Sequence, residues 1–174
     1  MKKILFTLIL IPALGMIASP SPAHAKTATA KVAGTGVMSL TGDVTFEEVP
    51  EGLKINASFV ELPSGKHGFH IHEKGDCGDN GNAAGGHFNP QGAPHGYLPT
   101  DGAAKAHAGD LGNIEADANG NATLEVMAPG LTLSEGPESI AGRAVVVHEK
   151  EDNFGQPTGN AGGRIGCGVI EVKE

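Results

Sequence analysis

The 174-residue sequence predicts one all-β domain of about eight strands, arranged as a sandwich or barrel with two long loops. Three observations favour this fold class. Glycine (27 residues) and proline (11 residues) are frequent, and both disfavour the interior of long helices. Apolar and polar residues alternate with a period of two. An Asn-Gly pair separates two apolar runs, which is a strong signal for a β-hairpin.

Eight runs supply the predicted strands. The clearest covers 53–59, where every second residue is apolar from Leu53 to Phe59. Asn119-Gly120 predicts the hairpin turn, and the continuously apolar run 144–147 is typical of a strand buried on both faces. In chain order, the predicted strands are 29–40, 44–46, 53–59, 68–72, 112–117, 123–127, 144–147 and 169–172.

Two stretches lack this alternation. Residues 74–110 form a long glycine-rich segment without periodicity, and 149–164 form a second one. Because loops of this length inside a compact domain are usually functional, we expect the functional residues to lie in or beside them.

The first 25 residues are typical of a secretory signal peptide. Two lysines precede an apolar run over 4–17, and Ala23-His24-Ala25 provides a cleavage motif. A membrane anchor is the alternative, but Pro12 interrupts the run, which is shorter than the roughly 20 residues that span a bilayer. The sequence therefore predicts a signal peptide over 1–25 and a mature domain over 26–174, exported to a bacterial periplasm or secreted.

Charge and cysteine content restrict the partners and the compartment. Cleavage would remove two lysines and no acidic residue, which changes the formal net charge from −8 to −10. Such an acidic chain is not expected to bind nucleic acid, since phosphate binding needs clustered basic residues. After cleavage no membrane contact is expected. Cys77 and Cys167 are expected to form a disulfide in an oxidising compartment, with two free buried thiols as the alternative.

The histidines are the most informative residues. His70 and His72 lie two apart in a predicted strand and should leave the same face, whereas His67 should leave the other. A lone histidine is most often a surface or core residue, but six grouped histidines with a carboxylate predict a copper or zinc site. Their spacing leaves the number of metal ions open. The candidate ligands are His70, His72, His87, His95, His107, Asp110 and His148.

Five segments make this sequence resemble the copper/zinc superoxide dismutases. They follow that family's order and extend the resemblance over 27–173. The resemblance implies an eight-stranded Greek-key β-sandwich or barrel, one copper and one zinc ion per chain, and dismutation of superoxide. The segments are Gly68–Glu73 (GFHIHE), Gly86–Pro90 (GHFNP), His107–Asn113 (HAGDLGN), Val147–Lys150 (VHEK) and Gly159–Ile170 (GNAGGRIGCGVI).

The resemblance also implies a role for each candidate residue. His87 would bridge the two metals and, with Arg164, take part in catalysis. Asp152 would hydrogen-bond one histidine of each metal group and so orient both. Cys77 and Cys167 match the family's disulfide. The implied copper ligands are His70, His72, His87 and His148, and the implied zinc ligands are His87, His95, His107 and Asp110.

Some positions of this sequence differ from those of many copper/zinc superoxide dismutases. Pro157 stands where many eukaryotic members carry a lysine that steers the substrate, which leaves Lys150 as a candidate for that role. The segment 149–164 is short, and Cys77 is placed as in bacterial members. The C-terminal run 166–170 resembles eukaryotic members and suggests a possible homodimer.

Three other functions fit parts of the pattern. A copper chaperone with this fold would need exposed thiolates, but both cysteines are expected in a disulfide. A copper/zinc-binding protein without turnover would not need Arg164 in its motif. A mononuclear zinc hydrolase would need a general base beside an open zinc position, whereas Asp110 is matched to a ligand.

Overall fold

The computed structural model describes residues 25–173 and shows a closed barrel of antiparallel strands. Neighbouring strands follow the order β1-β2-β3-β6-β5-β4-β7-β8. Because β3 pairs with β6 and β4 with β7, the connections cross the barrel ends as in a Greek key. This confirms the predicted fold class. The strands are β1 (Thr27–Gly34), β2 (Thr41–Val49), β3 (Gly52–Val60), β4 (Gly65–His72), β5 (Asp110–Ala116), β6 (Ala122–Pro129), β7 (Ala144–His148) and β8 (Arg164–Lys173).

Among residues 25–173, helical structure is limited to two short turns between β4 and β5. A 3-10 turn covers Asn82–Ala84, and the four-residue helix α1 covers Leu98–Asp101. The predicted signal peptide lies outside the described residues, apart from Ala25. Within the described part of the chain, no helix is long and apolar enough to cross a membrane.

The barrel interior is filled by apolar side chains from alternate strand positions. On β3 the predicted alternation is confirmed, since the side chains from Leu53 to Phe59 at every second position are buried. The rings of Phe59 and Phe69 meet edge to face at 6.2 Å between centroids in this core, a favourable arrangement for aromatic pairs.

The strand β7 is buried on both faces, as the sequence predicts. Val145 and Val147 belong to the barrel core, whereas Ala144 and Val146 pack outside it against Ala84 and Cys167. The second layer includes the disulfide between Cys77 and Cys167, which confirms the predicted bond. Since the bond closes a separation of 90 residues, it is expected to stabilise the fold by roughly 4–5 kcal/mol in the chain-entropy account.

Two strand boundaries differ from the predictions by five residues or more, the end of β1 and the start of β8, and glycine explains both. The predicted strand 29–40 is interrupted after Gly34, whose N–H donates to the carbonyl of Leu40 at 2.8 Å, with Gly36 in the left-handed region (φ 61°). The strand β8 begins at Arg164 instead of 169. The glycines of β8 interrupt the apolar pattern from which the strand was predicted. Gly168 is nevertheless needed within the strand, because a Cβ there would lie 2.5 Å from the carbonyl oxygen of Lys31 in β1.

The strand β4 places its histidines outside the barrel. Phe69 and Ile71 face the core, so His70 and His72 point to the opposite side. Two long connections cover that side: loop A, residues 73–109 between β4 and β5, and loop B, residues 149–163 between β7 and β8. They correspond to the two predicted functional loops.

Candidate metal centre

Four buried histidines converge beneath the two loops, and we call them the histidine group. His70 and His72 come from β4, His87 from loop A and His148 from the end of β7. The Nε2 atoms of His72 and His148 are 3.3 Å apart, and the ring centroids of His70 and His87 are 4.1 Å apart. One nitrogen from each ring lies within 4.8 Å of the others. This arrangement presents four imidazoles to one point.

A second cluster, the carboxylate group, shares one member with the first. It consists of His87, His95, His107 and Asp110, with ligand atoms again within 4.8 Å of one another. The Asp110 Oδ1 lies 2.8 Å from Nδ1 of His87 and 3.1 Å from Nδ1 of His107. Its Oδ2 lies 2.8 Å from Nδ1 of His95 and accepts the backbone N–H of Gly96. His87 therefore connects the two groups.

Asp152, in loop B, also connects the groups. Its Oδ2 lies 2.8 Å from Nε2 of His70, and both its oxygens lie 3.0 Å from Nε2 of His95. Asn113 on β5 holds Asp152 by donating from Nδ2 to its carbonyl at 2.9 Å and accepting its N–H at 2.7 Å. The rings of His70 and His95 thus each present Nε2–H to Asp152 and direct Nδ1 toward the other ligand atoms of their own group. The sequence interpretation assigned no role to Asn113, although it ends a segment used for the resemblance.

Burial keeps three rings of the histidine group neutral, those of His72, His87 and His148. Burial, followed by the charge of His87, lowers the pKa of His72 to about 2. Burial, followed by the charge of His70, lowers the pKa of His148 to about 3. For His87, burial outweighs the hydrogen bond to Asp110 and lowers the pKa to about 4. Neutral imidazole is the form that binds metal ions, so these residues are in the binding form at neutral pH.

The acidic residues of the centre are held ionised. Hydrogen bonds from His107 and His87 outweigh the opposing effect of burial and place the pKa of Asp110 well below its usual range. Burial also opposes ionisation of Asp152, but hydrogen bonds from His70 and His95 lower its pKa. For His95, burial favours the neutral ring, while the contacts with Asp110 and Asp152 raise the pKa to about 9. A divalent cation entering this group would replace the proton on His95.

The residues fit the copper and zinc ions that the fold family implies. Among the described residues, only the Nδ1 atoms of His70 and His95 are buried side-chain atoms without a hydrogen-bond partner. The Nδ1 of His95 lies 2.8 Å from the carboxylate of Asp110, but its orientation makes no hydrogen bond. An unsatisfied buried nitrogen costs about 1–3 kcal/mol, and coordination of a metal ion would remove this cost. Imidazole with one carboxylate suits zinc, and imidazole alone suits copper.

A small cleft leads from solvent to the histidine group. Its volume is about 190 Å³, and it is lined by His72, His87, His148 and Arg164 together with Thr158 and residues 160–162. The Arg164 guanidinium donates to the carbonyls of Gly81 and Gly85 in loop A, so two fixed acceptors hold its charge at the cleft. The structure therefore brings Arg164 to the histidine group.

Lys150 and His67 lie outside these groups. The exposed side chain of Lys150 is absent from the cleft lining, although its methylene groups lie beside Gly162. The buried His67 has Nδ1 2.8 Å from the carbonyl of His148 and Nε2 2.7 Å from that of Pro63. As its strand parity predicts, it supplies no atom to either group.

Gln156 is a second residue that the sequence interpretation missed. Its side-chain amide pairs with the backbone of His95: Oε1 accepts the N–H at 3.0 Å, and Nε2 donates to the carbonyl at 2.7 Å. Gln156 lies in loop B, 61 positions from His95. No local pattern marks such a contact.

The carboxylate group leaves no free base for hydrolysis. Both oxygens of Asp110 contact histidine rings of the group, and Oδ2 also accepts N–H bonds from Gly96 and His107 at 2.9 Å. Asp152 is occupied by His70 and His95. Because a zinc hydrolase needs a base beside an open position, this arrangement does not favour one.

Comparisons with known proteins agree with this geometry. Residues 40–170 match the family model described as copper/zinc superoxide dismutase (SODC). An extracellular superoxide dismutase [Cu-Zn] of Caenorhabditis elegans is 46% identical in a 149-position alignment that covers 82% of this chain and 66% of the relative. An enzyme of the same name from Brugia pahangi is 39% identical over 84% of this chain and 77% of the relative. The chain thus spans about two thirds to three quarters of these relatives' length.

A solved structure shows the same architecture. The crystal structure of a protein described as the clock protein EA4 has 38% sequence identity and a TM-score of 0.75. The structural alignment includes 90% of this chain and the full length of the EA4 chain. Together with the family model, which matches most of the chain, these relatives place the protein by both sequence and structure. The chain belongs to the copper/zinc superoxide dismutase family.

Proposed function

We propose that this protein is a superoxide dismutase that converts two superoxide ions and two protons into oxygen and hydrogen peroxide. The observation that carries the proposal is the shared position of His87 in two groups of ligand atoms. We assign copper to His70, His72, His87 and His148, and zinc to His87, His95, His107 and Asp110. When bound, copper supplies one-electron oxidation and reduction, whereas zinc has no redox chemistry and holds charge and loop order.

The two nitrogens of His87 have different surroundings. Nδ1 lies 2.8 Å from Asp110, which leaves Nε2 for the histidine group. We infer that Nε2 takes up one of the two protons of the reaction from solvent and passes it to the second superoxide, whose other proton comes directly from solvent.

Arg164 is positioned to guide the substrate. Its charge lines the cleft, and the carbonyls of Gly81 and Gly85 hold the guanidinium in place. The mature chain is strongly acidic, so the global field repels an anion and a local positive charge has to offset it. Lys150, which is exposed beside Gly162, is a weaker candidate for the same role.

The test of the function is superoxide turnover with metal analysis on the purified mature protein. We expect one copper and one zinc ion per chain and turnover that depends on copper. A copper/zinc-binding protein or chaperone without turnover is the alternative. It would carry the metals without accelerating the decay of superoxide, which would refute the proposal. The chain has no cysteine besides the disulfide pair, so no thiolate is available for copper transfer.

Replacing Arg164 by glutamate is expected to slow turnover by at least about 10-fold, because a positive cleft raises on-rates by roughly 10 to 1,000-fold. The Arg164→Lys variant, which keeps the positive charge, should lose much less of the turnover rate. The parent rate should fall as ionic strength rises, since the Debye length is only about 8 Å at physiological salt. The measurement is kcat/KM across a salt series, with copper content determined for each variant.

Lys54→Glu is the matched control for the Arg164 variants. Lys54 pairs with Glu125 on the barrel surface, so this change reverses the same charge outside the cleft. A rate independent of salt, or equal losses in the Lys54 and Arg164 variants, would contradict local steering.

We also propose export and a homodimer. Residues 1–25 would direct the chain out of the cytoplasm, with the periplasm as its location. Support for export comes from the extracellular relatives and from the disulfide, which requires an oxidising compartment.

The homodimer is supported by the C-terminal run 166–170 and by the 40% exposure of the apolar side chain of Val172. A monomer mass in sedimentation at micromolar concentration would decide against it.

A further inference from the structure

We propose that Gln156 is a positioning residue that holds the backbone of His95 for zinc binding, an inference that rests on the zinc site proposed above. The Gln156 side chain makes both backbone hydrogen bonds available at His95, one as acceptor and one as donor. In a sheet, a neighbouring strand would supply this pair of bonds. Here an amide side chain from loop B supplies it to a residue of loop A.

A tight turn in loop B brings the amide to His95. Phe154 adopts the left-handed region (φ 58°), which is uncommon for a bulky residue. Its N–H donates to Oδ1 of Asp152 at 2.8 Å. This reversal of the chain places Asp152 and Gln156 on the same histidine, one at the ring and one at the backbone.

The turn also covers the ring of His95. The Phe154 ring stacks on the His95 ring with 6.4 Å between centroids and 20° between planes. The Asp152 carboxylate accepts from Nε2 of the ring at 3.0 Å. Gln156, Phe154 and Asp152 thus restrict the backbone, one ring face and the ring rotation of His95, respectively. We call these three contacts the His95 clamp.

His95 needs such a clamp because its own segment is irregular. It lies in loop A, between the 3-10 turn and α1, and belongs to neither. Its Nδ1 is nevertheless buried without a hydrogen-bond partner, 2.8 Å from the Asp110 carboxylate. Mutation of a residue that orients a metal ligand typically lowers metal affinity or activity by about 10–100-fold. Without the Gln156 contacts, the ring would move relative to Asp110 and hold zinc less well.

The test compares zinc release and amide exchange in the mature protein loaded with both metals. Gln156→Met preserves the side-chain length and removes both hydrogen bonds. We expect zinc transfer to a chromogenic chelator to be about 10-fold faster and exchange of the His95 amide hydrogen, followed by NMR, to be faster. Copper content and the melting temperature should stay close to those of the parent.

Two further variants separate positioning from a general loss of structure. Gln156→Glu can still accept the His95 N–H but cannot donate to its carbonyl. Its His95 amide should therefore exchange nearly as slowly as in the parent, with zinc release between parent and Gln156→Met. Gln91→Met is the matched control, since Gln91 lies in the same loop as His95 but donates to Glu138 on the surface. Its zinc release should equal that of the parent.

Zinc release at the parent rate in Gln156→Met would overturn the proposal, as would equally fast release in Gln91→Met. If Gln156→Met does not fold, the Gln156→Glu variant decides, because parent-like zinc release there would refute the need for both bonds. If the parent takes up no zinc, the proposed function fails by itself. His95 amide exchange in the metal-free protein then still tests the clamp.

Discussion

Replacing His148 by alanine is expected to lower superoxide turnover by at least about 1,000-fold, the scale on which loss of a reacting group reduces catalysis. His148 ends β7 with its Nε2 3.3 Å from Nε2 of His72. It contributes to the histidine group but not to the carboxylate group. We therefore expect the variant to lose copper and to retain most of its zinc. Turnover and the content of both metals are measured on the same sample.

His107→Ala is the reciprocal control for this prediction. His107 belongs only to the carboxylate group, where its Nδ1 lies 3.1 Å from Asp110. This variant should lose zinc first and retain more copper. If each variant lost both metals together, the two groups would act as a single site. That result would contradict the assignment of copper and zinc to separate groups that share His87.

Replacing Asp152 by asparagine is expected to weaken zinc binding by about 10–100-fold, although Asp152 contributes to neither proposed ligand set. Its oxygens accept from Nε2 of His70 and of His95. The asparagine amide has the same size but keeps only one acceptor oxygen, and its NH2 group would face the Nε2–H of His70 or of His95. At least one of the two rings then loses its orientation. Zinc affinity is measured by equilibrium competition with a chelator.

Asp117→Asn is the matched control for the Asp152 variant. Asp117 also accepts hydrogen bonds, from the backbone N–H groups of Asn119 and Asn121, but it lies in the exposed β5–β6 turn. Its replacement removes the same charge away from the metal centre and should leave zinc affinity unchanged. Equal losses in the two variants would show that net charge, and not orientation of the rings, controls zinc binding.

The pattern within β4 was sufficient to separate the histidines. Strand parity placed His70 and His72 on one face and His67 on the other, and the structure shows this separation. The reason is geometric, because successive side chains in a strand leave opposite faces. The continuous apolar run of β7 likewise predicted burial on both faces, which the structure confirms.

Glycine weakened the prediction of strand boundaries. The apolar pattern did not mark the start of β8 at Arg164, because Gly166 and Gly168 carry no side chain to show the alternation. Their role depends on neighbours distant in sequence: a Cβ at Gly166 would lie 2.9 Å from Leu40, and one at Gly168 would lie 2.5 Å from the carbonyl of Lys31. A close approach between strands is visible only once the barrel is closed.

The sequence by itself determined the strand pattern, the family resemblance and the identity of the residues that the structure gathers into the two candidate ligand groups. These properties follow from local periodicity and from motifs that are contiguous in the chain. Only the tertiary structure decided that Asn113 holds Asp152, and that Gln156 holds His95 across 61 positions. Such contacts depend on how loops A and B meet outside the barrel. Strand pairing and loop closure bring these side chains together, and neither leaves a periodic signal in the sequence around them.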